Sequence, residues 1–154
     1  MLETPHVVIG AAIATSIPNP YISIPLAFAS HFILDKVPHW NPHFFTETQK
    51  LGKPSSDSTK LAVFDEVLAL GVGLFLASRV LPDSAHALTI LFACFASVLP
   101  DQVKIPYFFF KNRNELIGRW VKFERSLQVE VQPMWGILAQ FATVAAGLWW
   151  ILFS

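Results

Sequence analysis

"MWGILAQFATVAAGLWWILF", residues 134–153, decides the fold class. The stretch carries no charge and a single amide, Gln140. At about 1.5 Å per residue, a helix of about 20 residues reaches about 30 Å, the thickness of one bilayer core. Trp135 lies near one end and Trp149 and Trp150 near the other, as in the aromatic belts of membrane spans. A helix of a soluble core keeps a polar face over such a length. The stretch therefore predicts a transmembrane helix.

The rest of the chain agrees with it. The 154 residues suit one domain, 1–154. Hydrophobic residues make up 53% and charged residues 14%, against about 25% charged in a typical soluble domain. Mean hydropathy is +0.48. Net charge is zero, so the chain lacks the basic excess that nucleic-acid binding requires. The single cysteine, Cys94, lies in an apolar run. It forms no intrachain disulfide and rules out a thiolate-based metal site. The start, "MLETPHVVIG", has no basic leader region, and its apolar segment is read as retained in the mature protein.

Leu61–Leu81 is a second span, with "SSDST" supplying cap residues before it and Pro82 after it. A third run, 84–100, follows the turn "PDSAH" and is just long enough to cross. Near the N-terminus, Thr4-Pro5 and Asn19-Pro20 each read as a cap followed by the first helical residue. They predict helices over about 5–17 and about 20–36, with Pro25 a kink and Pro38 a stop. Each is short for a crossing, so a tilted pair or shallow hairpin is expected. Residues 40–60 read as a loop without periodicity. Within 102–133, Leu116, Trp120, Phe123, Leu127 and Val131 recur every three or four residues, which predicts an amphipathic helix lying in the membrane interface. The expected fold is an all-α polytopic membrane bundle, with four to five transmembrane helices plus one interfacial helix.

If the spans alternate in direction, 36–60 and 102–133 share a side. Ten of the 11 lysines and arginines fall there and only Arg79 opposite. The positive-inside rule makes that side cytoplasmic and puts the C-terminus outside, in the cell inner (plasma) membrane.

The same alternation gathers the polar residues. His31 and Asp35 in "HFILDKVPHW" stand four apart, on one helix face about 6 Å apart at Cβ. His39 lies beyond Pro38 and can fold back towards them. Imidazole with carboxylate and no thiolate suits Zn²⁺ first, with Mn²⁺ or Fe²⁺ also compatible; a hydrogen-bonded tether at a helix end is the equal alternative. His6 begins the first helix, where a helix N-terminus disfavours its protonated form. Asp65 lies one turn into an apolar span and Asp101 follows Pro100. Ionisable groups at such positions are costly and usually face a partner, although interfacial solvation of Asp65 and simple exposure of Asp101 are the plainer readings of each alone. Glu66 points about 100° from Asp65 and is expected to be solvated. His43 reads as a surface residue, His86 falls at the opposite end, and Gln140 suits a hydrogen bond between helices. The chain contains no phosphate-binding glycine loop, no GxSxG and no HExxH.

An N-terminal His, "HFILD" followed by "PHW", and a later "LPD" together resemble the membrane-bound metal-dependent hydrolases of the LexA-regulated inner-membrane family. The resemblance covers the helical layout and these short motifs; "LPDQVK" lacks that family's second Asp and final His, and no "THS" segment follows. It extends to His6, His31, Asp35, His39 and Asp101, and implies metal-dependent hydrolysis. Composition, placement and resemblance together lead to one expectation. A single metal site at the cytoplasmic interface uses His6, His31, Asp35 and His39 as ligands, with Asp65 or Asp101 as a further ligand or general base. The substrate would be a lipid headgroup or lipid-linked phosphate, and the partner the membrane lipid. The alternative is a non-enzymatic membrane scaffold or small subunit whose His/Asp cluster is structural. Proton-coupled transport ranks last, because Asp65 is too close to its helix end.

Overall fold

A computed structural model describes residues 1–153. Its helices are α1 (Glu3–Ser16), α2 (Pro20–Leu34), α3 (Phe44–Leu51), α4 (Ser56–Ser78), α5 (Ser84–Gln102), α6 (Ile105–Phe109), α7 (Glu115–Leu127) and α8 (Pro133–Phe153). The fold is an all-α bundle. Three helical stretches, Ser56–Ser78, Ser84–Phe109 and Pro133–Phe153, are long and apolar enough to cross a membrane, and α2 is a shorter apolar helix.

The bundle is arranged around α1, which packs against α2, α4, α5 and α8. Its residues are small where neighbours come closest: Ala11, Ala12 and Ala14 are wholly buried. Gly10 is required by the approach of α5, because a Cβ there would lie 2.9 Å from both the Ala93 carbonyl oxygen and Ser97 Oγ. Large apolar side chains lie outside instead, among them Phe64 and Phe75 of α4, Phe92 and Phe95 of α5, and Phe141 and Trp149 of α8. Small residues inside and bulky ones outside are the arrangement of helices that face lipid and associate by close backbone packing. With neighbours on every side, the 14-residue α1 has no need of the full length of a lipid-facing span.

Several expectations shift. Helix α1 begins at Glu3, two residues before Pro5, because its first N–H groups are capped by another helix rather than by a local side chain. Helix α5 continues through Pro100 to Gln102; a proline so near a helix end costs few backbone hydrogen bonds. The stretch 40–60 is not a plain loop. It holds α3, which ends at Gly52 in the left-handed conformation (φ 78°), and the first turn of α4, capped by Ser55. The amphipathic helix exists as α7 but is rotated. Leu116 and Phe123 are exposed, and Val121 and Glu124 face the bundle. Its apolar stripe is thus divided: Trp120 donates to the Pro100 carbonyl and packs on Phe32, Leu116 stays exposed, and a carboxylate points inward.

Candidate metal centre

The polar residues meet at one end of the bundle. Helix α1 descends into it through His6, α2 ends on it through His31 and Asp35, α5 delivers Asp101, and α7 covers it with Glu124. His6, His31, His39, Asp35 and Glu124 are all at most 1% exposed. His6, His31 and Asp101 each offer a ligand atom within 4.8 Å of the others, a spacing that could hold a metal ion.

Asp35 joins this group from the side. Its Oδ1 lies 3.5 Å from His6 Nε2 and its Oδ2 lies 3.5 Å from His31 Nε2. Two donor atoms on one tetrahedral ion at about 2.1 Å stand about 3.4 Å apart. His31 Nε2 also faces Asp101 Oδ1 and Glu124 Oε1, each at 3.9 Å. The His6 and His31 rings are stacked, with centroids 4.1 Å apart and planes 18° from parallel.

Backbone carbonyls orient two of the imidazoles. His31 Nδ1–H donates to the Ser97 carbonyl oxygen at 2.8 Å. His39 Nδ1–H donates to the Val37 carbonyl oxygen at 2.7 Å. Each bond places the proton on Nδ1 and leaves the Nε2 lone pair unshared, as in histidines that ligate metals. The Nε2 atoms of His6, His31 and His39 are buried without a hydrogen-bond partner, and so is His6 Nδ1. Buried polar nitrogens without partners are costly, so three of them at one end of a bundle fit a divalent cation.

Two ammonium groups share the site. The Met1 amino group pairs with Asp35, and Lys104 pairs with both Asp101 and Glu124. Burial works against the charge of Asp35, but His6 and the Met1 amino group hold its carboxyl well below the usual carboxylate range. Burial, then the Met1 charge, lowers the basicity of His39 and keeps it neutral, the form that binds metal. Burial, opposed by Lys104 and reinforced by Asp101, pushes the Glu124 carboxyl up to about 8.

The expected site residues fare differently. His6, His31, Asp35 and Asp101 are brought together. His39 is held beside them by a short parallel pairing: its N–H donates to the Val129 carbonyl and its own carbonyl accepts from the Val131 N–H, both at 3.0 Å. It feels the charges of Asp35 and the Met1 amino group but stands outside the group of three. Asp65 caps α1 instead. One carboxylate oxygen accepts from Glu3 N–H at 2.5 Å and the other from Thr4 Oγ1 at 2.6 Å. Glu66 accepts from Gln102 Nε2 at 2.6 Å. His86 hydrogen-bonds the Ala14 carbonyl at the far end, and Gln140 accepts from Leu2 N–H and donates to the Trp40 carbonyl.

Glu124 and Lys104 escape a sequence reading. Glu124 sits next to Phe123, on a helix whose apolar stripe points elsewhere, and Lys104 counts there only as a cytoplasmic-side charge. The signal that could have exposed Glu124 is its i+3 spacing from Val121, both of which turn inward.

Asp65→Ala is expected to lower stability by about 1–3 kcal/mol, the cost of losing a helix cap with charged acceptors. Metal content per folded molecule should not change. Denaturant titration in detergent, paired with metal analysis, checks both; loss of metal from a still-folded variant would return Asp65 to the ligand set.

Beside the centre lies a cavity of about 490 Å³. Its lining includes the charged residues Asp101, Lys104 and Arg125 and the apolar residues Phe44, Phe108 and Val63. Asp65 stands nine residues into α4, about 14 Å along the axis, beside the outward-facing apolar side chains Val63 and Phe64. The Asp65 cap therefore lies at a level where the outer surface of α4 is already apolar.

No protein-family profile, curated protein or solved structure matches this chain.

Proposed function

We propose that this protein is a membrane-embedded metal-dependent hydrolase acting on a lipid headgroup or lipid-linked phosphate. The observation that carries this reading is the trio His6, His31 and Asp101, mutually within 4.8 Å, whose two imidazole Nε2 atoms are buried without hydrogen-bond partners, beside a cavity lined by both charged and apolar side chains. Zn²⁺ suits this donor set best, and Mn²⁺ or Fe²⁺ is compatible with it. The bias of lysines and arginines to one side supports a centre on the cytoplasmic side of the inner (plasma) membrane, with the C-terminus outside.

A divalent ion here would polarise a phosphoryl oxygen and lower the pKa of a bound water. The remaining work falls to the chain. Lys104, at the cavity beside Asp101 and Glu124, would offer its ammonium to the anionic phosphate. Glu124, whose carboxyl burial pushes up to about 8, would give its proton to the leaving oxygen. Phe44, Phe108 and Val63 receive the apolar part of the substrate, and Arg125 draws the headgroup to the cavity mouth. The Ser97 carbonyl holds His31 in the ligating tautomer.

The test is hydrolysis of phosphatidic acid and of a phosphodiester lipid by the full chain in nanodiscs, with Zn²⁺ or Mn²⁺ and then with chelator. Phosphate or headgroup release that needs the metal, and that Lys104→Met lowers by at least about 10-fold, is expected. Absence of turnover by metal-loaded protein on both lipids overturns the hydrolase reading.

A second reading has its own support. Lys104 already neutralises Asp101 and Glu124, which suits a structural cluster in a non-enzymatic scaffold or small subunit. That reading requires a folded protein that binds no divalent metal.

A further inference from the structure

The hairpin of α4 and α5 carries the cavity beside the centre on along two helices of membrane-crossing length. The two are joined by a short turn and run antiparallel, so residues late in α4 lie level with residues early in α5. Along α4 the 490 Å³ cavity includes Ala62, Val63 and Glu66. A second cavity, of about 350 Å³, begins at Glu66 and continues through Leu70 to Leu74. On α5 it runs from Gln102 back to Leu91. Glu66 lines both cavities, and its carboxylate accepts a hydrogen bond from Gln102 Nε2 at 2.6 Å. The two cavities therefore meet at that hydrogen bond and follow one line along the helix pair.

The second cavity is a groove with a floor of small residues. Ala69, Gly73, Cys94 and Val7 are buried there. A Cβ added at Gly73 would stand 3.4 Å from Val7 Cγ1 and 3.6 Å from Cys94 Sγ, in ordinary contact with the floor. The rims are Val67, Leu70, Leu74 and Phe95, all exposed. Glu66 and Gln102 form one end, and the rest of the lining is apolar. From Glu66 to Leu74 the groove extends about 12 Å along α4. Because α4 and α5 are long and apolar enough to cross a membrane, the medium that meets these rims is the hydrocarbon of the bilayer. A cavity lined by Lys104 and Arg125 that continues as an apolar groove matches an amphiphile, with an anionic head at one end and a chain at the other.

We propose that the groove between α4 and α5 holds an acyl chain of the lipid whose phosphate-bearing headgroup enters the cavity, with the Glu66–Gln102 pair at the passage between the two. The proposal rests on the lipid part of the reading above and is independent of hydrolysis. The lipid then enters from the leaflet, and its chain stays in apolar surroundings throughout.

The experiment uses the full chain in phosphatidylcholine nanodiscs containing phosphatidic acid with a photoactivatable diazirine at mid-chain. Crosslinked residues are mapped by mass spectrometry, with and without excess unlabelled phosphatidic acid. The expected result is label concentrated at residues 67–74 and 91–98 and lowered by the competitor. Exposed Phe141 and Trp149 of α8 report ordinary surrounding lipid, and their weaker label should not respond to it. Gly73→Val, which fills the floor, should lower groove labelling by about 10-fold and leave labelling of α8 unchanged. Equal labelling of α8 and the groove, without competition, overturns the chain site. Turnover is followed in the same nanodiscs with Zn²⁺ or Mn²⁺. Competed groove label without turnover supports the chain site and removes the hydrolase reading, while turnover with even labelling does the reverse. Should Gly73→Val fail to fold, competition in the unaltered protein decides.

Discussion

His31→Gln is expected to weaken metal binding by more than about 100-fold, beyond the 10–100-fold lost when only an outer-layer partner of a metal ligand is removed. His31 is the hub of the centre. Its Nε2 faces Asp35, Asp101 and Glu124 at 3.5, 3.9 and 3.9 Å, and its Nδ1–H is fixed by the Ser97 carbonyl. Glutamine keeps a donor that can reach that carbonyl but has no lone pair of comparable basicity to offer an ion. The fold should persist, because glutamine can keep the bond to the Ser97 carbonyl and the close packing of α1 against α5 is made by small residues. Metal titration by calorimetry, with helicity followed by circular dichroism, checks the outcome. A folded variant that binds metal as tightly as the unaltered chain would remove His31 from the centre and, with it, the site.

Gly136→Ala is expected to have the largest effect on stability, about 3 kcal/mol or more, at the upper end of what overpacking costs. A Cβ at position 136 would lie 2.3 Å from the Trp40 backbone nitrogen and 2.7 Å from the His39 carbonyl carbon. Both neighbours are backbone atoms, so no rotamer change relieves the contact. Relief comes only if α8 moves away from the segment 39–40, which breaks the hydrogen bond from Gln140 Nε2 to the Trp40 carbonyl at 2.9 Å. Because His39 is carried on that segment, the same substitution should disturb the metal centre from outside it. Chemical denaturation in detergent measures the first effect and metal stoichiometry the second. A change below about 1 kcal/mol would show that α8 docks more loosely than this packing requires. Gly71, by contrast, has nothing within 4 Å of an added Cβ, and Gly71→Ala serves as the control, expected to raise helix stability slightly.

The helices long and apolar enough to cross a membrane were legible because they are a property of composition along the chain. An uncharged run such as 134–153 has few alternatives to a span, and the same holds for most of α4 and α5. Alternation of spans then placed residues 6, 31, 35 and 101 at one end, and the structure brings those residues within ligating reach of each other. Helix ends were less legible. The start of α1 is fixed by a carboxylate 62 residues away in the chain, and no local cap rule can register a partner that arrives from another helix.

By itself, then, the sequence determined the all-α, lipid-compatible bundle and the end at which its imidazoles and most of its carboxylates collect, since hydrophobic periodicity and span length are local quantities. Only the tertiary structure decided what each polar group does there. Asp65 became a cap for α1, and Glu124 and Lys104 entered the centre from the rim. The two stacked imidazoles came to face one divided carboxylate. Rotation of a helix about its own axis and the offset between neighbours set these outcomes. Both are fixed by how glycine and alanine let backbones approach, at Gly10 against Ala93 and Ser97 and at Gly136 against Trp40, and the order of residues along any single helix does not record them.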